Sequence, residues 1–151
     1  MPPNAAAVSQ PVVRSPRFTV DQANRSLIYV KRVVRDIQRA YRQALAIQRV
    51  AEAGGGLPEH ETRYGLLMQR LGELQEELQG VGVELKDYDL GLVDFPSWYQ
   101  DREVCLCWQL GEPEVATWHE VEDGFAGRQP IRGAGAKLDA EETAGEAGGQ
   151  R

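Results

Sequence analysis

No stretch of this chain approaches the ~20 consecutive apolar residues of a membrane-spanning helix, and the N-terminus has neither the basic start nor the apolar core of a signal peptide. A cytosolic protein is therefore expected. Cysteine is scarce: Cys105 and Cys107 are the two present, and on a strand rising about 3.3 Å per residue they lie too far apart to bond each other. That excludes a disulfide framework and fits a reducing compartment. Net positive charge is missing too, and a formal charge of −6 argues against general affinity for nucleic acid or anionic membranes. No complete catalytic or cofactor motif occurs either. His119-Glu120-Val121-Glu122-Asp123 begins like the zinc-protease pattern HExxH, but Asp123 stands where the second histidine is needed.

What is present suits one globular domain: 151 residues, 42% hydrophobic and 26% charged. Residues 1–17 hold four prolines without apolar periodicity, so a disordered arm is expected there. Thr19 followed by Gln22 has the form of a capping box opening a long helix. Its apolar positions, Val20, Ala23, Leu27, Val30, Val34, Ile37, Tyr41 and Ala44, step by three and four in a heptad seam, as in a coiled coil. Gly54-Gly55-Gly56 should stop it, and Leu57-Pro58 restarts the chain. Tyr64, Leu67, Leu71, Leu74 and Leu78 form a second seam that should end at Gly80. A short glycine loop between two seamed helices predicts an antiparallel hairpin, with seven basic residues on the first helix facing five Glu on the second.

Beyond Gly80 the apolar period falls from 3.6 to 2. Val81, Val83 and Leu85 predict a first strand, Leu90, Leu92 and Asp94 one face of a second, and Val104, Leu106, Trp108 and Leu110 one face of a third. Residues 86–89 and 96–102 suit turns, whereas 115–121 fits a fourth strand or a short helix equally well. The expected fold is α+β: a long antiparallel helical hairpin (18–80) packed on a small antiparallel β-meander of three to four strands (81–131). Residues 132–151, rich in Gly and Ala, are expected to form a disordered tail.

FTVDQAN at the start of the first helix, GVELKDYDLGLVDFP, REVCLCWQLGEPEVATWHEVEDGF and AGRQPI carry a resemblance. Together, over roughly 18–131, the chain resembles the bacterial family called domain of unknown function 2203. The resemblance implies a small bacterial protein with a helical front half and a motif-rich back half, and it implies no particular activity.

Candidate site residues cluster in that back half, where eleven acids face three basic residues between Val81 and Ile131. Such a surface suits a divalent cation, a basic partner or plain solvation. Asp94 stands out because parity puts it with Leu90 and Leu92, where an ionised carboxylate needs a partner. The two readings are a metal-ligand role and a salt bridge to Arg25 or Arg32 of the first helix. His119, Glu120 and Asp123 complete the candidate metal set. Cys105 and Cys107 are expected to fill a sheet face as small apolar residues, although two thiols at this spacing also suit part of a metal site, and Cys107 with His119 as base has the parts of a nucleophilic pair. Trp98 and Tyr99, placed in a turn, and Ile28 and Val33, outside a single seam, are candidate interface residues, and a homodimer through the hairpin follows.

The expected function is a non-enzymatic binding or assembly module. The alternative is a divalent-metal-binding protein or metal-dependent enzyme centred on His119, which requires His119 to lie near at least two of Asp94, Glu84, Glu120, Asp123 and Cys107.

Overall fold

The computed structural model describes residues 17–131. The tail expected over 132–151, and the arm except for Arg17, lie outside the described residues. The first helix, α1, runs Val20–Glu52 and the second, α2, Pro58–Val81. Thr19 caps α1 with a true box: its Oγ1 accepts from the Gln22 amide at 3.0 Å, and the Gln22 side chain accepts from the Thr19 amide at 3.0 Å. Gly54, with φ of +84°, follows the last turn of α1. α2 continues one residue past Gly80 and ends on Gly82, whose φ of +98° is the left-handed turn-out that glycine adopts without strain. Val81 therefore belongs to the helix, not to the first strand. Among the described residues no helix is long and apolar enough to cross a membrane.

The seam positions do what their spacing requires. Ala23, Leu27, Val30, Val34, Ile37 and Ala44 are buried, as are Leu71, Leu74 and Leu78 of α2. Val33 is buried with them at 4% exposure, which removes it from any interface with a second molecule. Tyr29 Oη donates to Glu77 at 2.9 Å and Arg63 to Gln43 at 3.3 Å, fixing the antiparallel register of the hairpin. No ion pair joins the two helices among the described residues: Arg25 meets Asp21 and Arg70 meets Glu73 within their own helices, and Arg42 reaches Asp89.

Five antiparallel strands follow in the order β1 (Glu84–Asp87), β2 (Leu92–Tyr99), β3 (Arg102–Gln109), β4 (Thr117–Glu120) and β5 (Gln129–Pro130). The meander is as expected, with one strand more than the upper count. The 115–121 ambiguity resolves to a strand, because Thr117 to Glu120 find a free edge of β3 to pair with. The turn expected across 96–102 shrinks to Gln100 and Asp101, both at positive φ (51° and 59°) as a two-residue hairpin turn demands. Trp98 and Tyr99 are thus strand residues.

Which face of the sheet meets the helices is decided by pairing. Val93 lies opposite Trp108 and Phe95 opposite Leu106, and all four join the buried cluster with α1 and α2. Since side chains alternate along a strand, Leu92 and Asp94 point away from the helices. The parity of Asp94 with Leu92 holds, but the face they share is the outer one. Its apolar look misled because β2 is apolar on both sides. At the start of β2, a Cβ on Gly91 would stand 2.7 Å from Leu110 Cβ and 3.0 Å from Val34 Cγ1, so glycine there allows α1 to approach. Polar clamps hold the layers together: Val115 donates its amide to Asn24 Oδ1 at 2.7 Å, and Gln38 donates to the Asp89 carbonyl at 2.6 Å.

Candidate metal centre

The two-residue turn sets Tyr99 opposite Arg102, and counting back along the hairpin brings Asp94 opposite Cys107. On the other edge of β3, His119 lies opposite Cys105 and Thr117 opposite Cys107. Paired residues share a face, so Asp94, Cys105, Cys107, Thr117 and His119 all lie on the outer side of the three central strands. The His119 side chain crosses diagonally to Asp94, with Nε2 2.9 Å from Oδ1. One donor atom each from Asp94, Cys107 and His119 lie within 4.8 Å of one another. All three residues are buried, at 2%, 0% and 2% exposure.

Both nitrogens of His119 face oxygen. Nδ1 lies 2.7 Å from the Glu120 carbonyl, which can only accept, so Nδ1 carries a proton. The short approach of Nε2 to Asp94 then holds a second proton between imidazole and carboxylate, and the pair is neutral as a whole. This accounts for a burial that neither charge would tolerate alone.

The two thiols are held in their protonated form. Burial, reinforced by the Asp94 carboxylate, pushes both Cys105 and Cys107 up to about 12. Arg128 opposes the shift at Cys107, and Lys86 opposes it at Cys105. At neutral pH neither thiol supplies a thiolate to attack a substrate, and the imidazole that would act as base is engaged by Asp94. The nucleophilic reading of Cys107 with His119 therefore lapses. Alkylation checks this: at pH 8 the folded protein should react with iodoacetamide about 10³-fold more slowly than the unfolded chain. Native rates within tenfold of the unfolded ones would show accessible thiolate and contradict the burial argument.

A polar girdle closes one side of the cluster. Arg128 grips both Glu112 oxygens at 2.7 Å and donates to Thr117 Oγ1 at 2.9 Å, while Thr117 donates to the Cys107 carbonyl at 2.9 Å. On the other side Lys86 pairs with Glu84 at 2.9 Å.

The remaining expected site residues fall elsewhere. Glu120 follows His119 on an extended strand, so its side chain takes the opposite face and is gripped by Nε and Nη2 of Arg102, which hold its carboxyl below the usual range. Asp123 sits in the turn after β4, beside Gly127. The helical spacing that would have brought His119 and Asp123 together is absent because the segment is a strand that ends at Glu120 and passes into a turn. Asp94 has no arginine partner from α1; its partner is His119. Trp98 lies under the Arg17 guanidinium at 3.8 Å, Tyr99 packs on Trp118 at 5.1 Å, and Ile28 stands out at 79% exposure. Cys107 is the member of the cluster left out of the candidate ligand set of Asp94, His119, Glu120 and Asp123, although it stood among the residues that His119 would have to meet. Its signal was the hairpin register, legible once a two-residue turn at Gln100-Asp101 is assumed.

No curated protein and no solved structure matches the chain. A family model does, over residues 17–131, which is the whole of the hairpin, the sheet and the Asp94–Cys107–His119 cluster. The chain thus belongs to the family described as "Uncharacterized conserved protein (DUF2203)".

Proposed function

We propose that this protein binds a divalent transition-metal ion, with Asp94, Cys107 and His119 as ligands and zinc as the best-suited ion. The observation that carries the reading is the convergence of a carboxylate, a thiol and an imidazole from three neighbouring strands to within 4.8 Å at a buried point. The requirement set for a metal site was that His119 meet two of the named acids and thiols, and it meets Asp94 and Cys107. Tetrahedral zinc holds N and O donors at about 2.0–2.2 Å and S at about 2.3 Å, so its ligand atoms stand about 3.3–3.7 Å apart. The donors stand up to 4.8 Å apart, so zinc would require them to close by about 1 Å. The Nδ1–H of His119, bound to the Glu120 carbonyl, is the outer hydrogen bond that orients a metal-ligating histidine through Nε2. A mixed N, O, S set favours zinc over magnesium or calcium, which select oxygen. Three protein ligands leave the fourth position of a tetrahedron to water or a small ligand.

Cobalt(II) tests both the site and its sulfur. Metal-free protein titrated with one equivalent should develop tetrahedral d–d bands together with a thiolate-to-cobalt charge-transfer band, and Cys107→Ser should remove the second. Absence of the charge-transfer band in the parent protein would overturn the ligand set. Its persistence in Cys107→Ser would move the sulfur ligand to Cys105.

A further inference from the structure

Six exposed arginines run along α1: Arg25, Arg32 and Arg39, seven apart, lie on the row opposite the buried seam, and Arg35, Arg42 and Arg49, also seven apart, lie on the row beside it, where Arg42 reaches Asp89. At 1.5 Å per residue they span about 36 Å. Arg25 and Arg42 are engaged within the chain, by Asp21 and Asp89. Arg32, Arg35, Arg39 and Arg49 make no ion pair among the described residues.

The exposed side of α2 has the opposite sign, with Glu59, Glu61, Glu73, Glu76 and Glu77. Glu73 meets Arg70 of its own helix and Glu77 accepts from Tyr29, whereas Glu59, Glu61 and Glu76 make no ion pair among the described residues. Large apolar residues stand in the same faces: Ile28 on α1 at 79% exposure and Leu66 on α2 at 62%. Each helix therefore presents unpaired charge and apolar surface of the kind its neighbour would complement, yet the hairpin turns both outward.

We infer that the outer face of the hairpin docks a second copy of this chain, with α1 of each protomer laid against α2 of its partner. A two-fold axis running along the hairpin, between two helical layers set face to face, produces this pairing and makes the contact self-complementary. It also preserves height along the hairpin. The Tyr29–Glu77 and Arg63–Gln43 bonds set Arg32 level with Leu74 and Arg49 level with Leu57. The free arginines of one protomer then come level with acids on the other: Arg32 with Glu73 and Glu76, Arg49 with Glu59. Between these levels, a Cβ on Gly65 would meet nothing within 4 Å in this chain, so no internal packing demands glycine there, and the smooth surface admits the arginine stems of a partner. Each helix offers a strip about 36 Å long and about 10 Å wide. Two strips per protomer come to about 700 Å², near the ~800 Å² per partner of a standard specific interface. A linear polyanion would also meet the arginines, but the neighbouring acidic helix repels it and attracts a second copy.

Charge exchange tests the pairing. Sedimentation of the parent protein at tens of micromolar, a rough working range for such contacts, should show a dimer that dissociates as salt is raised. R32E/R49E and E59R/E76R change only exposed positions, and circular dichroism should show both to be as helical as the parent. Each alone should be monomeric, and an equimolar mixture should recover the dimer, since each then offers what the other lacks. A monomeric parent, a dimer in either variant alone, or a mixture that stays monomeric would overturn the inference. A monomeric parent that binds heparin, with binding lost in R32E/R49E, would assign the arginines to a polyanion instead.

Discussion

Alanine at position 94 is expected to destabilise the metal-free protein by about 3 to 5 kcal/mol, because it leaves His119 buried and without the carboxylate that shares its proton. Asparagine should cost much less, about 1 kcal/mol. Its amide can donate to Nε2 of a neutral imidazole while Nδ1–H stays on the Glu120 carbonyl, so a charged pair becomes a neutral hydrogen bond of the same shape. Urea unfolding at pH 7 measures both. Equal losses in the two variants would mean that shape and donors do not decide the cost, and no loss in Asp94→Ala would mean that the pair contributes nothing to holding β2 to β4. Asp94→Asn also separates scaffold from site, since a variant that folds normally but fails to take up metal has lost only a ligand.

Zinc at about a hundredfold over its dissociation constant should raise stability by about 2.7 kcal/mol and the melting temperature by roughly 10 °C. His119→Ala and Cys107→Ser should show no such rise, because a lost ligand in a set of three has no replacement: Glu120 faces the other side of the sheet and Asp123 lies in the following turn. The pH dependence has a definite sign. Cys107, pushed up to about 12, arrives as a thiol and binds as a thiolate, so each ion taken up should release the Cys107 proton. Apparent affinity should climb as pH rises through the neutral range, by about tenfold per unit, and the stabilisation should vanish on acidification. Titrations at pH 6, 7 and 8 that give the same midpoint would rule out a site built on these three groups. An undiminished shift in His119→Ala would place the ion elsewhere.

The local half of this protein was written in its residues. Thr19 and Gln22 announce the start of α1, the spacing from Val20 to Ala44 announces its buried stripe, and the glycines after Ala53 announce its end, because each signal depends only on neighbours within a turn or two. The change of period after Gly80 and the α+β class follow from the same short-range rules. Alternation alone also placed Cys105 and Cys107 on one side of β3, away from Leu106 and Trp108. Two things lay beyond that reach. Residues 115–121 carry no preference between helix and strand, and the free edge of β3 decided it. Asp94 has apolar neighbours on both sides, so the pairing of Val93 with Trp108 and of Phe95 with Leu106 chose its face. That choice turned Asp94 from the arginines of α1 to His119, 25 residues away in sequence, and brought Cys107 beside both. A cluster drawn from three strands exists only once register is set, and register is a property of long-range pairing that no local window contains.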